Sequence, residues 1–224
     1  MGFGAVVAFV GLLFVLGWLA GKTGGGEVAG DGVDVQAGSI TLAYPFEPPQ
    51  LDSTRATDVS SSFVLGHVME GLLRLDEHGE IAPGVAERWE IDPHQAVFHL
   101  RANALWSDRK PVTARDFVFG WRKVVDPATA SEYAFIMYAV KNAEAISKGE
   151  MPPDALGVRA LDDRTLQVEF QQPVAYFDKL ATFKTYYPIR QDFYESRSGR
   201  YGADAEDLVF NGPFTLARWV HGAR

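Results

Sequence analysis

Histidines, paired carboxylates, an activated serine or a glycine-rich phosphate loop are the features with which a chain of 224 residues would do chemistry. Five histidines are present, His67, His78, His94, His99 and His221. None forms an HExxH motif or a close pair at metal-ligand spacing, so they read as surface or core residues. Asp162 and Asp163 are adjacent, and on a turn their side chains diverge instead of flanking one substrate as an acid and base would. No serine has GxSxG surroundings. Gly24-Gly25-Gly26 precedes no strand-to-helix turn and so is no phosphate loop. Cysteine is absent, which excludes disulfides, thiolate metal sites, cysteine nucleophiles and the acylated cysteine of a lipoprotein. The expectation is a protein that is not an enzyme and carries neither metal nor cofactor.

Composition narrows the alternatives. Apolar residues make up 47% and charged residues 22% of the chain, the balance of a globular protein able to bury a core. The net charge of -8 is spread along the sequence, without a Lys/Arg cluster that would track a phosphate backbone, so nucleic acid is not an expected partner. From Phe3 to Ala20 every residue is apolar or Gly, and Lys22 is the first charged side chain. Such a run is membrane-directed, either an uncleaved anchor or a signal peptide for which Val28-Ala29-Gly30 offers a small-residue cleavage site. The rest is therefore expected outside the cytoplasmic membrane. Residues 21–38 are glycine-rich and lack apolar periodicity, the pattern of a flexible linker.

The elements that follow alternate between strand and helix patterns. Ser39 to Tyr44 alternates polar and apolar as a strand, and a proline-marked extended segment runs on to about Asp58. A helix is predicted from Ser60, N-capped by serine, with Val64, Leu65, Val68, Met69 and Leu72 on one face and an end near residues 71–73. Val85 to Ile91 and Gln95 to Arg101 form a hairpin turning at Asp92-Pro93. Thr113 and Asp116 make a capping box for a helix that buries Phe117, Val118, Trp121, Val124 and Val125 and stops at Asp126-Pro127. A further helix is predicted over 133–148. A second hairpin joins Leu156 to Leu161 with Thr165 to Phe170, Pro173 opens a helix carrying Val174, Phe177 and Leu180, and Phe214 to Trp219 is the last strand. Local strand pairs among helices favour α/β or α+β with antiparallel portions over a parallel doubly wound sheet.

Several of these segments resemble the bacterial solute-binding proteins of the oligopeptide, dipeptide and nickel type, family 5. Leu51-Asp52 is similar to the family's "LDP", with Ser53 in place of proline, and Met69-Glu70-Gly71-Leu72 to its "EGL". Ile81 to Glu90 (IAPGVAERWE) resembles "PGLAESWE". Phe98-His99-Leu100-Arg101, Trp106-Ser107-Asp108 and Pro111 to Phe117 together resemble "FHLR…WSDG.PVTA.DF", although Arg109 stands where the family usually has glycine. Asp126 to Ala134 is similar to the "DP.TAS.YA" of the oligopeptide branch, and Leu156 to Leu166 and Asn211-Gly212-Pro213-Phe214 complete the series. Most of these residues serve the fold: Trp89, Phe98, Trp106, Phe117 and Trp121 are expected in the core.

The resemblance implies an α/β, type II periplasmic-binding-protein-like fold of two lobes with mixed sheets and helices, of which this chain holds part. Residues 39–69 and 191–224 would form a partial major lobe and 70–190 an inserted smaller lobe, after a signal or anchor at 1–20 and the linker at 21–38. It also implies the substrate receptor of an ABC importer, partnered by permease subunits, whose lobes close over an oligopeptide held by main-chain hydrogen bonds. By position, Thr57, Asp58 and Val59 match the family's edge strand beside the ligand, and Tyr133 an aromatic on the cleft wall. Family members run to well over twice this length, so the chain alone is expected to bind peptide weakly or not at all. A receptor for another solute, such as a dipeptide, a cell-wall peptide or a metal chelate, stays open within the same fold, as does an exported scaffold or enzyme built on it.

Overall fold

The computed structural model describes residues 33–34, 36, 39–40 and 46–222. The membrane-directed run, most of the linker and residues 41–44 of the first predicted strand lie outside the described residues. Two short strands, β1 (Val33–Asp34) and β2 (Ser39–Ile40), pair antiparallel and belong to a unit that extends to Pro45. The second unit, Phe46–Arg224, carries everything else described below.

A four-stranded antiparallel sheet forms the frame, built from β5 (Ala86–Ile91), β6 (Gln95–Leu100), β7 (Val158–Ala160) and β8 (Thr165–Glu169) in the order β5-β6-β8-β7. Both predicted hairpins are present. Alternation decides which face is covered: Ala96, Phe98 and Leu100 of β6 and Leu166 and Val168 of β8 point inward, while Gln95, His99 and Gln167 stay half-exposed. A smaller hairpin, β3 (Leu73–Leu75) with β4 (Ile81–Pro83), was not predicted. Its turn had a readable signal, since the Asp76 carboxylate accepts from the N–H groups of His78 and Glu80 and Gly79 takes a positive φ of 78°.

Helix α1 spans Val59–Val68 and α2 spans Ala114–Val125. The α2 prediction holds: the Asp116 carboxylate reaches back to the Thr113 N–H (2.8 Å) and also accepts from the Trp106 indole (3.1 Å), so it is satisfied although burial raises its pKa. The buried face of α2 carries Phe117, Trp121, Val124 and Val125 and covers β7 and β8. Of the expected core aromatics, Phe98, Trp106, Phe117 and Trp121 are buried and Trp89 half-buried. Between Trp106 and Pro111 the chain turns tightly with Arg109 at φ 69°, so the turn keeps a conformation natural to glycine and an arginine bears its strain.

Three helix or strand predictions are corrected. Residues 133–148 do not form one helix but a 3₁₀ segment (Ala134–Ala139) and a short helix α3 (Ala143–Ser147). The main chain between them is claimed by β8: Val140 bridges Phe170, Lys141 N–H bonds Glu169 O, Gln171 N–H bonds Ala139 O, and Asn142 turns left-handed at φ 68°. Pro173 does not open a helix, because Val174 N–H is held by Pro93 O, and α4 is confined to Phe177–Leu180. Phe214 to Trp219 is not a strand. Its one main-chain hydrogen bond among the described residues runs from Phe214 N–H to His67 O, at the end of α1, and none of the described strands pairs with it. The N-cap of α1 is also corrected, from serine to Asp58, whose carboxylate accepts from Ser61 N–H at 2.7 Å.

Candidate functional site

The segment leading into α1 is fastened from below. Leu51 N–H donates to Gly202 O, and Gly202 has φ 76° with the place of a Cβ only 2.3 Å from Asp52 N, so no side chain fits there. Asp52 is buried and its carboxylate accepts from both the N–H (2.9 Å) and hydroxyl (2.7 Å) of Thr54. Its carbonyl takes Arg55 and Ala56 N–H, and Ser61 Oγ clips Gln50 O at 2.6 Å. With both flanks tied down, residues 57–59 emerge at the surface in a set conformation.

Thr57 and Asp58 are half-buried and Val59 is 74% exposed, so none of the three belongs to the core. Their carbonyls and N–H groups differ. Thr57 O accepts from the Tyr133 hydroxyl at 3.2 Å, and Asp58 O accepts from Ser62 Oγ at 2.6 Å. The N–H groups of Thr57 and Val59 have no hydrogen-bond partner among the described residues. For Val59 this follows from its place as the first residue of α1, where main-chain donors have nothing behind them. Two residues selected on separate stretches of sequence, Thr57 and Tyr133, are thus brought into direct contact.

Lys184 completes the cluster. It is only 7% exposed; its ammonium donates to Ser62 Oγ and lies 5.3 Å from the ring centroids of both Tyr133 and Phe183. Burial lowers its pKa, opposed by the Asp58 carboxylate nearby. For Asp58 burial is the largest single influence and would raise its pKa, but hydrogen bonds from Ser61 and from its own main chain, with the Lys184 charge, together hold it below its ordinary value. Phe135 and Phe183 each lie 6.0 Å from Tyr133 ring to ring. Sequence reasoning missed Lys184, Phe183, Phe135 and Ser62. The run Phe183-Lys184-Thr185-Tyr186-Tyr187, with a lysine among aromatics, was the available signal.

Beside this cluster opens a cavity of about 710 Å³ whose lining includes Gly66, Met69, Glu70, Arg101, Phe183 and Tyr187. Arg101 pairs with Glu70 at 2.8 Å and also donates to Gly84 O. Asn211 brackets the Glu70 backbone with both ends of its amide, at 3.1 and 2.9 Å. The motif pieces around residues 70, 84, 101 and 211 are therefore one hydrogen-bonded assembly. Among the described residues no group of His, Asp and Glu is arranged to hold a metal ion.

Comparison with known proteins agrees with this architecture. The family of bacterial extracellular solute-binding proteins, family 5 Middle, matches residues 80–224. The periplasmic oligopeptide-binding protein OppA of Salmonella typhimurium is 40% identical over 181 residues, covering 80% of this chain and 33% of its own length. The probable deoxycholate-binding periplasmic protein YgiS of Escherichia coli is 38% identical over 178 residues, covering 78% and 33%. Among solved structures, the substrate-binding domain of an oligopeptide ABC transporter from Bacillus anthracis superimposes with a TM-score of 0.76 at 46% identity, over 78% of this chain and 34% of that one. The chain thus spans about a third of the length of these relatives, and its fold is the corresponding part of their α/β architecture. By the match over residues 80–224, the chain belongs to the bacterial extracellular solute-binding proteins of family 5.

Proposed function

We propose that this chain supplies one wall of the ligand cleft in an extracytoplasmic receptor that delivers oligopeptides to the permease of an ABC importer, and that it is not an enzyme. Residues 39–69 and 191–224 would belong to a major lobe and 70–190 to a smaller inserted lobe. The observation that carries the reading is the pair of N–H groups at Thr57 and Val59 that have no partner among the described residues, on a strip braced from beneath and exposed above. Main-chain donors held at fixed positions read a ligand's main chain and ignore its side chains, which is β-augmentation within a cleft. Each such bond contributes about 0.5–1.5 kcal/mol net, so useful affinity needs several, and a second wall. Tyr133 with Phe135 and Phe183 would form an apolar flank for the first side chains. The membrane-directed run at Phe3 to Ala20 would export the rest and either anchor it or be cleaved.

The test is a chimera in which residues 46–222 replace the matching third of the Bacillus anthracis relative. Calorimetry with tri- to pentapeptides should give micromolar or tighter binding by the chimera and none measurable by the chain alone. A well-folded chimera that ignores every peptide would sink the receptor reading. Submicromolar binding by the chain alone would show instead that no second wall is needed. A relative whose printed name is that of a deoxycholate-binding protein makes that bile acid the control ligand.

A further inference from the structure

The two carbonyls of the exposed strip are occupied in different ways. The bond from Ser62 Oγ to Asp58 O, with Ser62 N–H on the same oxygen at 3.2 Å, is part of the first turn of α1 and moves with it. Tyr133 is 76 positions along the chain from Thr57 and reaches it from outside. The stretch bearing Tyr133 is made of tight, short pieces. A 3₁₀ turn at Pro127–Thr129 ends on Ala130 at φ 52°, and a second begins at Ala134. Tyr133 itself sits between them at φ -100° and ψ 14°, in the sparsely populated bridge region. Its ring is held by Lys184, Phe135 and Phe183, so its hydroxyl is presented to Thr57 O from a body built independently of the strip.

We infer that the Tyr133 hydroxyl is a gate on the Thr57 carbonyl, standing where the main-chain N–H of an incoming peptide would donate. The inference rests on the reading of Thr57 to Val59 as the peptide-facing edge. With the gate shut Tyr133 takes one of the two acceptor positions of Thr57 O, and the strip grips a ligand mainly through the ligand's carbonyls. With the gate open that position is free and the strip pairs in both directions. Tyr133 is in this sense a positioning residue: it sets which half of the ligand backbone is read first. Exchanging one neutral hydrogen bond for another is nearly balanced, so the gate is worth a factor of about 2 to 10 in affinity.

Tyr133→Phe keeps the ring and its contacts and removes the hydroxyl alone. Carbonyl ¹³C spectra of the full chain, recorded without peptide, should show the Thr57 resonance moving upfield in the variant while those of α2 and the sheet stay in place. An unmoved Thr57 resonance overturns the gate. Titration of both proteins with Ala-Ala-Ala, followed at the amides of Thr57 and Val59 so that millimolar affinities are readable, should show the variant binding about 2 to 10 times more tightly. Equal or weaker binding by the variant overturns the gate and leaves the receptor reading intact, weaker binding assigning the hydroxyl to the ligand. No response at these amides in either protein overturns the gate and leaves the receptor reading to be decided by the chimera.

Discussion

Two aromatic clusters lie on either side of the segment 183–187 and are built from the same parts. In the inner one, Trp121, Phe177 and Tyr186 meet edge to face at 5.0 to 6.3 Å, all fully buried. In the outer one, Tyr133, Phe135 and Phe183 meet at 6.0 Å, with Phe135 58% exposed. Both spend their polar tips on main-chain carbonyls: the Trp121 indole on Tyr186 O (2.9 Å), the Tyr186 hydroxyl on Ile136 O (2.9 Å), and the Tyr133 hydroxyl on Thr57 O. The difference is solvent. The Trp121 bond is buried and the Tyr186 hydroxyl comes from a fully buried ring, so the inner bonds meet little competition and hold α2, the 3₁₀ segment at 134–139 and residue 186 in one body. The outer bond is open to exchange with water or with a ligand, so the same chemistry is available for recognition.

The comparison is broken or sharpened by substitution. Trp121→Ala should have the largest effect, a loss of about 3–5 kcal/mol measured by denaturant titration, since a large buried ring leaves a cavity its neighbours cannot fill. Tyr186→Phe should cost about 1–2 kcal/mol by leaving Ile136 O unpaired in the interior. It should also change the alkaline limb of the stability profile. Burial raises the Tyr186 pKa well above its ordinary value of 10. The unfolded chain therefore loses that proton above pH 10 while the folded one keeps it, and stability falls as pH rises. Tyr187, pushed up to about 12 by burial and the Glu70 charge, acts in the same direction, so the variant should lose stability less steeply above pH 10 rather than not at all. Phe135→Ala should have the smallest effect, within about 0.5 kcal/mol, because little is buried there to lose. A cost above about 2 kcal/mol for Phe135→Ala would make the outer cluster structural and remove the contrast.

Much of the frame was legible because its signals are local. The hairpin at Asp92-Pro93 and the capping of α2 by Asp116 each depend on residues two to four apart, and both appear as predicted. Over 133–148 and 214–219 prediction failed because distant main chain had intervened. The pattern over 133–148 is helical in composition, yet residues 139–142 give their hydrogen bonds to the end of β8. Phe214 to Trp219 has a strand-like pattern, yet its first residue and the Asn211 and Gly212 before it dock on the end of α1 and the residues just after it.

For the site, the sequence by itself carried the motif resemblance that points to Thr57, Asp58, Val59 and Tyr133, and with no recognisable reactive constellation it made binding their expected use. Only the tertiary structure decided that Thr57 and Tyr133 touch, that Lys184 lies between Ser62 and two aromatic rings, and which main-chain groups of the strip have no partner among the described residues. The reason is that a residue's type is written in the chain, whereas its exposure and the occupancy of its hydrogen-bonding groups depend on segments brought from 76 to 122 positions away.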